Sequence, residues 1–487
     1  MTELSQCDTL IRGVRIIDGI DTRTRCADVA ICGDRIAAIG GPLHLHAKTI
    51  VEADGLTLAP GFIDTHTHDD TSVIETPAML PKISQGVTTV IVGNCGISAA
   101  PVTLRGAPPD PMNLLGGASL FRYPCFADYA AAVQAAQPAV NVAAFAGHTA
   151  LRSNHMDRLD RPATPREIQA MRAQLQEALD HGALGLSTGL AYGSANAATT
   201  EEVIALMQPL RAAGGLYATH LRSETAAIRD AIEEACAIGR QCGVPVVISH
   251  LKCAGVDNWG RGAEVLELLH QAQTAQPIGW DCYPYAAGSS TLDLGQVDAR
   301  VRITITWSEP HPELAGKTLA QIAGTWNMAQ LDAARKLQPA GAIYHSISEQ
   351  DMRLILAHPA TMIGSDGLPH DPRPHPRLWG TFPRVLGHYC RDEKLFPLPE
   401  AIRKMTSLPA QRFGLRHRGV IREGYYADLV LFDAEKIRDA ATFSDSQKPS
   451  VGIAAVWVNG APAYRAHAET GQRNGRFILR TPISWEH

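Results

Sequence analysis

The chain has no Cys-x-x-Cys pair, no basic stripe, no acidic tail and no apolar run of bilayer length, and each absence removes a class of function. Its ten cysteines (7, 26, 32, 95, 125, 236, 242, 253, 282 and 390) are scattered, as expected of reduced, buried small hydrophobes. A net charge of −5 and a pI near 6.4 give nucleic acid nothing to hold and leave a small-molecule partner as the default. The start, Met1 to Leu10, is polar and acidic where a secretory leader would be basic and then apolar, so a soluble, cytoplasmic protein with no membrane partner is expected. What the chain does have is length and apolar content. Its 487 residues, 45% of them hydrophobic, suffice for one large barrel plus a smaller domain.

Between residues 58 and 366, apolar runs that could be fully buried strands recur, and each ends in a polar residue. They cover 58–68, 88–95, 140–148, 183–187, 216–220, 244–250, 278–283 and 362–366. Helix signals lie between most of them. Thr164-Pro165-Arg166-Glu167 offers an N-cap, a first-turn proline and a glutamate three residues past the cap; Thr200-Glu201-Glu202 opens another helix, and 226–242 is apolar at helical spacing. Strands alternating with helices in this way predict an α/β fold, a (β/α)8 TIM barrel over 58–417, with the polar strand ends converging on one mouth. Residues 285–347 separate the last two strands by far more than an ordinary connection and predict an insertion or lid over that mouth. Segments 1–57 and 418–487 read as short strands and turns that pair into one small β-domain.

The polar strand ends carry chemistry. His66 and His68, spaced by two, point to one face of a strand; Cys95, His220, His250 and Asp366 end four other strands. Any one of these histidines alone reads first as an ordinary core or surface imidazole, and Asp366 alone as a turn cap before Gly367. Six together at one end of a barrel form the thiolate, imidazole and carboxylate inventory that zinc favours. Zinc so held lowers the pKa of water towards ~7 and polarises a carbonyl under attack, and a nearby carboxylate can carry the proton to a leaving nitrogen.

The run Gly61-Phe62-Ile63-Asp64-Thr65-His66-Thr67-His68, the eight strand ends and the closing Ala427-Asp428-Leu429-Val430-Leu431-Phe432 resemble the amidohydrolase superfamily, whose barrel carries a split β-sandwich. Within it, Val92-Gly93-Asn94-Cys95-Gly96, Gly147-His148, Thr188-Gly189-Leu190-Ala191-Tyr192, Gly364-Ser365-Asp366-Gly367 and His375-Pro376-Arg377 resemble the N-acyl-D-amino-acid deacylases over nearly the whole chain. The resemblance implies a zinc ion bound tightly by Cys95, His220 and His250. It also implies a second, weaker or empty position at His66, His68 and Asp366, and Asp366 as general base and acid. Lys252, Tyr283, Ser289 and Arg377 would bind the substrate α-carboxylate, a task suited to fixed cations, with His148 and Tyr192 either shaping the pocket or packing the strand ends.

Cyclic-amide hydrolases share His66 and His68 in this resemblance but bridge two metals with a carboxylated lysine. No lysine lies between Lys82 and Lys252, so the third and fourth strands cannot supply one, and Cys95 is the candidate substitute. Relatives that take N-acyl-D-glutamate resemble this chain with an extra arginine near 294–298, where Leu294-Gly295-Gln296-Val297-Asp298 stands here; Arg300 and Arg302 follow. Neutral or hydrophobic D-amino acids are therefore expected, with acidic ones open. Cyclic-amide hydrolysis is the alternative activity, and a non-catalytic role is disfavoured by the complete ligand set. Oligomeric state and the favoured acyl group are not encoded in any of these motifs.

Overall fold

The computed structural model describes residues 5–104 and 106–481; residues 1–4 and 482–487, the extremes of the two segments expected to form the small β-domain, lie outside the described residues. The barrel strands are Phe62–Asp64, Val87–Val92, Asn141–Ala144 continued by Ala146–Gly147, Gly185–Gly189, Leu216–His220, Val246–Ile248, Ile278–Cys282 and Thr361–Ile363. Each runs parallel to its neighbour. The third strand reaches the fourth through the Leu184 N–H, which donates to Ala144 O at 2.8 Å. The ring closes where Thr67 bridges Gly367 and the Asp366 N–H donates to His66 O at 2.7 Å.

Side-chain alternation along these strands separates two cores. Ile63, Ile91, Ala143, Leu216, Ala218, Val247 and Met362 form one cluster with Phe413 and Leu415, from the turn after helix Ser407–Arg412. Their alternating neighbours Phe62, Val90, Val92, Val142, Tyr217 and Val246 join the larger cluster shared with the helices. A fully buried aliphatic or aromatic side chain contributes roughly 1.5–3 kcal/mol in such a core. With apolar residues filling the barrel interior, the polar strand ends are left to build the mouth.

The helix expected after Thr164 is Pro165–Asp180, and its capping box is formed in full: Thr164 Oγ1 accepts from Glu167 N–H while the Glu167 carboxylate accepts from Thr164 N–H. The next helix, Thr200–Leu206, opens at Thr200 as expected and is capped by Thr199 on the Glu202 N–H. Residues 285–347 are a folded module. Strands Gly288–Thr291, Ile303–Ser308 and Ala340–Tyr344 form an antiparallel sheet against helices Leu319–Trp326 and Gln330–Leu337, with a separate apolar core around Ile303, Ile305, Leu319, Ile322 and Ala342.

The chain ends meet in a nine-stranded sheet in which Thr57–Pro60 pairs antiparallel with Leu429–Phe432 and parallel with Gln6–Ile16. Ile11, Val29, Leu58, Leu429 and Trp457 share one apolar cluster there. Among the described residues no helix is long and apolar enough to cross a membrane.

Candidate active site

Cys95, His250 and Asp366 each follow a barrel strand in the left-handed backbone region, with φ of 55°, 36° and 49°. Such angles are costly for side chains of this kind and persist only where surrounding structure enforces them. Each turns its chain sharply at the strand end, so that the side chain enters the mouth. Gly96 makes the turn after Cys95 possible, because a Cβ there would lie 2.7 Å from the Gly189 nitrogen.

The four predicted histidines converge around Cys95. Cys95 Sγ lies 3.2 Å from His66 Nε2 and 3.3 Å from His250 Nε2, while His220 gathers with His250 and Glu224, and His68 with His66 and Asp366. A thiolate and an imidazole sharing a tetrahedral zinc are separated by about 3.6 Å, from bond lengths of about 2.3 and 2.0 Å, so the spacing is close to that of a metal centre. Asp366 Oδ1 lies 3.2 Å from His68 Nε2 and 3.6 Å from His66 Nε2, which gathers His66, His68 and Asp366 into a second donor group beside the first.

Electrostatics test the fit. Burial pushes the Cys95 thiol up, but the His66 and His250 imidazoles overcome it and hold the sulfur well below the ordinary thiol range, as an anion. Burial likewise opposes charge on His68, yet its bonds to Asp366 and Cys95 raise it to about 9. Glu224 Oε1 and Lys252 Nζ each lie 2.9 Å from His250 Nδ1, which fixes the ring with Nε2 towards the Cys95 sulfur. A sulfur 3.2 and 3.3 Å from two imidazole nitrogens, all buried, is a compact nitrogen and sulfur donor set. The donor set thus fits a soft divalent cation such as zinc.

Above these donors opens a cavity of about 650 Å³, lined by His68, His220, His250 and Asp366 on the barrel side and by Ser289, Leu292, Asp293 and Tyr344 of the inserted module. Lys252, Tyr283 and Tyr192 line it too. Lys252 Nζ donates to Glu224 Oε1 at 2.6 Å, and the buried Tyr283 hydroxyl has no protein partner among the described residues. The Ser289 hydroxyl donates to Ala342 O at 3.3 Å. Tyr192 packs its ring 4.7 Å from that of His220.

Two expected substrate contacts are placed elsewhere. Arg377 is buried behind the wall, its guanidinium 2.8 Å from Asp366 Oδ2, donating to Ser289 O at 2.9 Å, and 4.6 Å from the Tyr283 ring centroid. It holds the Asp366 carboxyl well below the usual range against the opposing effect of burial. His148 starts helix His148–His155 instead of ending its strand in the mouth, and its ring faces Glu202 at 3.2 Å, where Arg152 completes the ion pair.

Sequence reasoning passed over Glu224 and Asp281. Asp281 Oδ1 accepts from His250 N–H at 3.0 Å and stands 3.6 Å from His66 Nδ1. Its signal was available, a carboxylate inside the apolar strand Ile278–Cys282. Glu224 follows His220 by four residues but in a loop, so no helical face advertises it.

The amidohydrolase family model matches residues 49–464. The D-aminoacylase of Alcaligenes xylosoxydans xylosoxydans is 51% identical over 474 residues, 97% of this chain and 98% of that protein. A crystal structure of D-aminoacylase superposes with a TM-score of 0.95 at 50% identity, covering 97% of this chain and 100% of that one. The N-acyl-D-glutamate deacylase of Bordetella bronchiseptica, solved with zinc and a phosphonate inhibitor that mimics the tetrahedral intermediate, superposes at 0.94 with 42% identity over 98% of this chain and 100% of that one. Barrel, donor cluster and these similarities together show that the chain belongs to the amidohydrolase family, in the branch that holds D-aminoacylase and the N-acyl-D-amino-acid deacylases.

Proposed function

We propose that the protein is a zinc-dependent hydrolase that splits the linear amide of N-acyl-D-amino acids into a carboxylate and a free D-amino acid. The observation that carries this is one buried sulfur 3.2 and 3.3 Å from two imidazoles, with His68 and His220 beside them, at a cavity walled by Lys252, Tyr283 and Ser289. Cys95, His220 and His250 would hold the catalytic zinc, and His66, His68 and Asp366 a second, weaker position. Zinc, when bound, polarises the scissile carbonyl and makes water acidic enough to attack near neutral pH.

The protein's own groups do the rest. Asp366 accepts a proton from the attacking water and delivers it to the nitrogen as the C–N bond breaks. Arg377, ion-paired to it at 2.8 Å, keeps that carboxylate charged and aimed. Lys252, the Tyr283 hydroxyl and Ser289 receive the α-carboxylate, with the Arg377 charge behind Tyr283 adding attraction. With the carboxylate on this wall and the carbonyl at the donor cluster, one configuration at Cα turns the side chain into free space. The named activities of the relatives make that configuration D.

The outer cavity favours a neutral or hydrophobic side chain. Leu114, Leu294, Asp110 and Asp293 line it, and its arginine, Arg222, is already committed to Glu234 at 2.8 and 2.9 Å. Arg300 is held by Asp257 and Asp298. A glutamate side chain would therefore meet Asp110 and Asp293, with Arg222 and Arg300 already paired to carboxylates. Cyclic-amide hydrolysis gains no support, since the third and fourth strands end at Gly147 and Gly189 with no lysine. Cytoplasmic location suits the ten unpaired cysteines.

A panel of N-acetyl-D- and N-acetyl-L-amino acids plus hydantoin tests this. N-acetyl-D-leucine is expected to exceed N-acetyl-D-glutamate in kcat/KM by at least ~100-fold, since like charges brought together cost several kcal/mol. Equal rates on the two enantiomers of leucine, or faster cleavage of hydantoin, would overturn the proposal.

A further inference from the structure

Lys82 lies fully buried below the donor cluster, on the short helix Leu80–Ile83. Its ammonium reaches Asp64 Oδ2 at 2.8 Å, Thr67 Oγ1 at 2.9 Å, and Asp69 Oδ2 and Ser365 Oγ at 3.0 Å each. Asp64, Thr67 and Asp69 belong to the stretch that carries His66 and His68, and Ser365 immediately precedes Asp366. The knot is tied further by the Ser365 N–H, which donates to Asp64 Oδ1 at 2.8 Å, and by its hydroxyl, which donates to Asp64 Oδ2 at 2.6 Å. The Thr67 hydroxyl donates to Asp69 at 2.7 Å.

Cys95, His220 and His250 are supported by different groups. Asp281 holds the His250 backbone, Glu224 faces both imidazoles, and the Ser187 hydroxyl accepts from Gly96 N–H at 3.0 Å beside Cys95. Asp281 is shared, since it also stands 3.6 Å from His66 Nδ1, whereas the Lys82 contacts all lie on the His66, His68 and Asp366 side.

We infer that Lys82 is a positioning residue that fixes His66, His68 and Asp366 as one unit, and so governs the second metal position and the aim of the proton-carrying carboxylate without governing the first. A lysine suits the task because three N–H donors on a compact cation can join carboxylates and hydroxyls from two strands. One ammonium among two carboxylates also leaves the knot with a net negative charge beneath His66 and His68, which favours a cation above it. The inference rests on the two metal positions proposed above, and its test reads metal affinity, which does not depend on the substrate assignment.

The test uses the one-zinc enzyme titrated with further zinc, with chelator competition for the first equivalent and kcat and KM measured alongside. Ser365→Ala keeps the ammonium and both carboxylates, so it answers even where Lys82→Met fails to fold. In Lys82→Met, and in Ser365→Ala, the second equivalent is expected to weaken about 10–100-fold, the usual effect of losing an outer partner of a metal ligand, while the first changes by less than about threefold. The same variants should lose kcat by at least about tenfold at nearly constant KM, because the carboxylate is mis-aimed rather than the substrate released. Equal weakening of both equivalents would show a merely structural role, and an unchanged second equivalent would remove any role; either overturns the inference. Failure of the substrate panel alone would leave this ratio of affinities intact.

Discussion

Cys95→Ala is expected to yield folded protein that carries almost no zinc and has no measurable deacylase turnover. The sulfur lies 3.2 and 3.3 Å from the His66 and His250 imidazoles and is the soft donor of the cluster. Without it, only imidazoles and carboxylates remain as donors, the rings with centroids 4.4 to 5.4 Å apart. Losing an outer partner costs about 10–100-fold in metal affinity, and losing a direct ligand costs more. Metal analysis and a melting curve on the same preparation check this. A variant that keeps a full equivalent of zinc would remove Cys95 from the ligand set.

Asp366→Ala is expected to do the reverse and keep the first zinc while turnover falls by about 10²–10⁴, the range for loss of a positioned proton carrier. Asp366 belongs to the donor group with His66 and His68, so the proposed zinc ligands Cys95, His220 and His250 remain. The alanine also strands the Arg377 guanidinium, and an uncompensated buried charge costs about 3–5 kcal/mol. Asp366→Asn, which preserves shape and a polar partner, is the control for that loss, and it should be equally inactive. Retained turnover in a folded Asp366 variant would refute the proton-carrying role. The two substitutions together separate metal holding from proton transfer.

Much of the barrel was legible because its strands are buried on both faces and stop at polar residues, so composition alone marks their ends. His66 and His68 were legible from their spacing of two, and Cys95 from closing an apolar run. Helix Pro165–Asp180 announced itself through Thr164, Pro165 and Glu167. The supports were not legible, since Glu224, Asp281 and Lys82 act across 28, 31 and 283 residues of chain and no local pattern encodes such pairings. Lys82 appeared in the sequence only as the edge of a lysine-free stretch.

Arg377 and His148 show a different limit. Both residue types suited a pocket, and both occur in the expected motifs, but direction is set by neighbours. Arg377 turns to Asp366 and Ser289, and His148 turns to Glu202 because the chain becomes helical at that residue. Residues 285–347 read as an insertion or lid from their length alone, but the strand pairing of 288–291 with 340–344 and the separate core were not legible, since they join distant parts of the chain.

The most direct test of the account is to strip the purified protein of metal, add Zn²⁺ in known increments, and follow hydrolysis of N-acetyl-D-leucine. Activity is expected to be absent at the start and to rise in proportion to zinc up to a break near one equivalent. Undiminished hydrolysis by the stripped protein would contradict the account.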